Sequence, residues 1–130
     1  MFTIQQIEEA HSKVKSGEDF PLYIDEIKKL GVIAFETFVI DSHTKYTGVN
    51  DFKIESKGIY DYKSIVDQSN SEKFTDYLKS HQHGETDYFQ FCDDCAETGV
   101  EKWIVDLQAM TCTYYDKLDN AILTESIPAL

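Results

Sequence analysis

The chain has 130 residues, 42% of them hydrophobic, which suits one domain over 1–130 with its own core. A balance of 24 Asp+Glu against 12 Lys+Arg, net −12, argues against nucleic acid and anionic membranes as partners. No apolar run approaches the roughly 20 residues of a membrane helix. Met1–Gln6 lacks the basic and apolar regions of a signal peptide, and three Cys in no secreted framework point to free thiols in a reducing cytoplasm.

Thr3-Ile4-Gln5-Gln6 reads as a helix-starting capping box. Ile4, Ile7, His11 and Val14 then follow at helical spacing, up to Gly17. A second helix starts near Asp19, tolerates Pro21 in its first turn and carries the stripe Phe20, Tyr23, Ile24, Ile27, Leu30 before Gly31 stops it. The period then changes. Val32–Ile40, rich in β-branched and aromatic residues, predicts a buried strand, and Thr44–Gly48 with Phe52–Ser56 predicts a hairpin about Val49-Asn50-Asp51. Lys57–Asp67 is either an edge strand or an ordered connection.

The same order then recurs. Ser69-Asn70-Ser71-Glu72 reads as a capping box for a helix with Phe74, Tyr77, Leu78 and His81 on one side, ending at Gly84. Thr86 or Asp87 caps a fourth helix that turns Tyr88, Phe91, Cys92 and Cys95 inward and ends by Gly99. Glu101–Leu107 predicts a strand, with Trp103, Val105 and Leu107 on one face. Thr111–Asp116 and Ala121–Ile127 predict a closing hairpin whose turn, Lys117-Leu118-Asp119-Asn120, can host a left-handed residue.

Asp19–Phe35 aligns without a gap on Asp87–Trp103, with Asp19, Asp25, Gly31 and Val32 meeting identical residues at Asp87, Asp93, Gly99 and Val100. The preceding helices align with a one-residue shift, so that Ile7 meets Phe74, His11 meets Leu78, Val14 meets His81 and Gly17 meets Gly84. The expected fold is therefore α+β: two helix-helix-three-strand halves, about 1–60 and 68–130, forming antiparallel sheet covered by helix pairs. Such a repeat allows a pseudo-twofold relation between the halves.

Several residues invite a chemical reading. Cys92-x-x-Cys95 resembles a redox pair. Its place inside a helix among Asp93, Asp94 and Glu97 disfavours a thiolate, however, and the repeat sets the two thiols where the first half has Ile24 and Ile27. Core filling is thus the favoured role. His81, His83, Cys92 and Cys95 form a conceivable metal set, but His81 and His83 are two apart on a helix and point about 200° from each other. No metal or cofactor is favoured. The ligand-binding candidates are His11, on the first stripe, and Asp41, His43 and Tyr46 around a strand-to-strand turn. Carboxylate pairs such as Glu8-Glu9 and Asp93-Asp94 fall on predicted wet faces, and no phosphate-binding glycine loop or G-x-S-x-G elbow occurs.

Thr86-Asp87-Tyr88, Phe91-Cys92, Gly99–Trp103 and Met110–Asp116, with the opening Ala10–Val14 and Asp19-Phe20-Pro21, resemble a small bacterial family of the YbcV and YdfO type, sometimes labelled phage envelope proteins. The resemblance covers nearly the whole chain. It implies an α+β fold and carries no activity, substrate or site residue. Asp119, where members often have glycine, and Cys95, which they often lack, are departures from it.

The leading expectation is a non-enzymatic binding or interaction module for a protein or small molecule, able to form a homodimer and using a cleft between its halves. The alternative is a metal- or thiol-dependent enzyme or sensor built on His81, His83, Cys92 and Cys95.

Overall fold

The computed structural model of the chain describes residues 1–15 and 17–128. The elements are α1 (Ile4–His11), α2 (Phe20–Leu30), β1 (Val32–Phe38), β2 (Thr44–Gly48), β3 (Lys53–Glu55), α3 (Ser71–Gln82), α4 (Tyr88–Glu97), β4 (Lys102–Asp106), β5 (Thr111–Tyr115) and β6 (Ala121–Ser126). The fold is α+β. All six strands join one antiparallel sheet in the order β3-β2-β1-β4-β5-β6.

The helices lie over one face of that sheet. Strand residues alternate between faces, and the alternation sends Phe35, Tyr46, Trp103, Val105, Cys112 and Tyr114 under the helices, where all are buried. Tyr23 of α2 meets Phe35 there, and Phe74 of α3 and Phe91 of α4 both meet Tyr114. Ile7, Ile24, Ile27, Phe74, Leu78, Cys92 and Cys95 complete this core from the helix side.

The two meanders match at a constant interval of 68 residues. Phe35 pairs with Tyr46 as Trp103 pairs with Tyr114. The Val39 N–H donates to the Glu101 carbonyl (2.8 Å), and the Leu107 N–H donates to the Ile33 carbonyl (2.9 Å). Ser42 and Met110 are both left-handed, at φ 69° and 57°. In the central β1·β4 ladder, Glu36 faces Ile104, the residue 68 positions on.

Several boundaries depart from expectation. The first helix ends at His11, not Gly17, with Ser12 as its C-cap, so Val14 falls beyond it. Residues 17–19 form a short turn that sets Gly17 against α3, where a Cβ would lie 2.4 Å from the His81 carbonyl oxygen. The cap of α3 is Asn70, not Ser69, because the Asn70 carboxamide oxygen accepts from the Lys73 N–H (3.1 Å). The strands are also trimmed at their ends: β1 stops at Phe38, β3 is Lys53–Glu55 and β4 is Lys102–Asp106. Residues 57–67 form an ordered connection with no strand. Ile59 and Lys63 donate to the Asp41 and Ile40 carbonyls and Val66 to Ala96 (2.8, 2.8 and 3.0 Å), while Ile65 enters the core. The closing turn places Asp119 at φ 62°, as its sequence allows.

Candidate functional site

The potentially reactive side chains collect where the β1–β2 turn meets the N-terminal end of α4. Ser42, the left-handed residue of that turn, is buried, and its hydroxyl lies 2.5 Å from the Tyr88 hydroxyl. Tyr88 is the first residue of α4, whose cap Asp87 accepts from the Gln90 N–H (2.8 Å). One turn on, the Cys92 thiol lies beside the Tyr88 and Tyr60 hydroxyls, which temper the rise of its pKa. Tyr60 comes from the 57–67 connection and donates its hydroxyl to the Val39 carbonyl. Ser42 and Tyr88 share one hydrogen bond, and Tyr60, beside Cys92, caps a backbone carbonyl that would otherwise need another donor.

Burial governs the acidity of this cluster. It pushes the Tyr88 and Tyr60 phenols above their ordinary values and raises the Cys92 thiol to about 11. Cys95 is raised by burial too, and Cys112 to about 12. A thiol raised in this way is protonated at neutral pH and is a poor nucleophile. All three cysteines are free and buried.

His11 reaches the same region from the end of α1. It is exposed, not part of the core, and its ring meets Tyr23 and Tyr88 edge-on at 5.1 and 5.8 Å. Partial burial against these rings lowers its pKa. Tyr46 lies beside Phe35 in the sheet and beneath Tyr23 of α2. His11, Tyr23, Tyr46, Tyr88 and Ser42 therefore form a continuous seam between the halves. The seam is packed where an open cleft was expected. Gly17 seats against His81 on its helix side, and a Cβ on Gly84 would lie 2.6 Å from the Glu18 carboxylate.

Asp41 and His43 do not join Tyr46. Residues 43 and 46 are three apart along an extended chain and so take opposite faces. His43 stacks on Phe38 of the uncovered face (centroids 4.5 Å, planes 6° apart). Asp41 accepts from both the His43 backbone N–H (2.9 Å) and its Nδ1 (2.5 Å). Partial burial opposes ionisation of Asp41, yet these bonds hold its carboxyl below the usual range. The outer nitrogen, Nε2, lies 3.8 Å from Glu55. Asp41 thus orients His43 as in a catalytic triad, but the neighbouring hydroxyl, Ser42, is turned to Tyr88 on the other side.

The metal candidates are dispersed. His81 stacks on Phe91 (4.4 Å, 14°) and donates from Nδ1 to the Thr86 carbonyl (3.1 Å). Burial lowers its pKa, against the opposing pull of Thr86, Asp87 and Asp94. His83 is exposed, 3.9 Å from Glu85. Among the described residues no three His, Cys, Asp or Glu side chains converge with geometry for a metal ion.

Asp94 corrects the reading of Asp93-Asp94 as a wet pair. Asp93 is exposed and paired with Lys63 (2.5 Å), but Asp94 is buried and accepts from Gln90 (2.9 Å), and burial raises its pKa. Sequence reasoning also missed Ser42, Tyr60 and Tyr88 as partners. The one available signal was that Ser42 sits in a turn, where a hydroxyl has to find a bonding partner.

These features define an α+β protein whose single six-stranded antiparallel sheet is covered on one face by two helix pairs, with a phenol–thiol cluster under one corner. The chain belongs to the family described as proteins of unknown function DUF1398, whose model matches residues 8–126. No curated protein is significantly similar to it. Among the described residues no helix is long and apolar enough to cross a membrane.

Proposed function

We propose that this chain is a non-enzymatic interaction module that docks a protein partner over the 57–67 connection and the start of α4. The observation that carries the reading is an exposed apolar patch. Ile59, Tyr62 and Phe89 are each more than half exposed, and Tyr60 links them by meeting Phe89 at 6.4 Å. Exposed aromatics held on a rigid base are favoured as docking anchors. The base here is rigid because Tyr60 is tied to the Val39 carbonyl below, and Lys63 is tied to Asp93 beside it.

The reactive groups are used internally in this reading. Cys92 and Cys95 fill core, and His81 is an aromatic spacer. We read the chain as one domain derived from a duplicated helix-helix-three-strand unit, supported by the register matches 68 residues apart. Within its family we place it with the YbcV and YdfO type. Buried free thiols favour a reducing cytoplasm, and the acidic surface disfavours nucleic acid.

The test is capture of partners from cell lysate by wild-type protein and by a Tyr62→Ser, Phe89→Ser variant. A defined protein retained by the wild type and lost by the variant, with an unchanged circular dichroism spectrum, is the expected result. Equal retention by both would overturn the patch. Stoichiometric zinc or iron in untagged protein would overturn the non-enzymatic reading in favour of the His81, His83, Cys92, Cys95 alternative.

A further inference from the structure

We draw no further inference here: the strongest candidate, the sheet face opposite the helices, where His43, Phe38, Lys102 and Tyr115 form one row from the β1–β2 turn across β1, β4 and β5, is an unpartnered face whose histidine and lysine are already held by Asp41, Glu36 and Asp119 of the same chain, and nothing in the structure shows what covers it.

Discussion

α2 and α4 hold equivalent places under the sheet, yet they are packed by different means. In α2, Ile24 and Ile27 fill the core with their own side chains, and Lys28 is left in solvent. In α4 the corresponding residues are Cys92, Cys95 and Ala96, all buried. The lost volume is made up by the 57–67 connection, which lowers Tyr60 onto Cys92 and ties Val66 to the Ala96 carbonyl (3.0 Å). One half fills its core from within, and the other by borrowing from the chain between the halves. Cys92 lies beside the Tyr60 hydroxyl, so a bulkier side chain at 92 should crowd it. The same connection carries Ile59 and Tyr62 of the exposed patch beside α4.

The comparison can be broken at several points. The largest effects should come from the shared aromatic pairs. Phe35→Ala and Trp103→Ala should each cost about 3–5 kcal/mol, since both are buried large-to-small changes at matched positions. Urea denaturation measures this, and a much smaller loss for one of them would show that the halves do not contribute alike.

Next in size is the borrowed packing. Cys92→Ile, which copies the first half into the second, should overpack and cost about 1–3 kcal/mol. Tyr60→Ala in the same chain should recover part of that loss, giving a favourable coupling in a double-mutant cycle. Additive effects would mean that Cys92 and Tyr60 do not share space.

The histidines at the seam set a pH dependence. Burial lowers the pKa values of His11 and His81, so below the ordinary value of 6.5 the unfolded chain binds more protons than the folded one. This contribution to stability is complete above that value and is lost as pH falls from it toward the folded pKa values. Asp94, with a raised pKa, acts in the opposite sense between its ordinary 3.8 and its raised value. Thermal melts between pH 7 and pH 5 should therefore show falling stability. The slope should flatten in His81→Gln, and an unchanged slope would exclude His81 as its source.

The smallest effect separates the two left-handed turn residues. Met110→Gly should stabilise by up to about 1 kcal/mol by relieving its backbone. Ser42→Gly relieves the same conformation but loses the bond to Tyr88, so it should be neutral or destabilising. Equal gains at both positions would show that the Ser42–Tyr88 bond contributes nothing.

Much of this architecture is legible in the residues. Apolar spacing locates the four helices, and Gly31, Gly84 and Gly99 stand in left-handed conformations where helices end. The apolar stripe of α2 recurs in α4 at an interval of 68 residues. The site was less legible. Parity along an extended chain already separates His43 from Tyr46. Helical spacing sets Asp94, three residues after Phe91, nearer the buried stripe than Asp93, which reaches Lys63 of the 57–67 connection. The close approach of Gly17 to the His81 carbonyl likewise joins distant parts of the chain.

Taken alone, the sequence determined the order of elements, their faces, the turn chemistry and the acidic surface, since these follow from periodicity, caps and composition within a few residues. Only the tertiary structure decided which polar groups are buried together, that the seam is filled, and that a connecting segment supplies both the cover of Cys92 and an exposed aromatic patch. The reason is physical. Burial and hydrogen bonding belong to pairs of residues, and the partners of Ser42, Cys92 and Val39 arrive from distant parts of the chain.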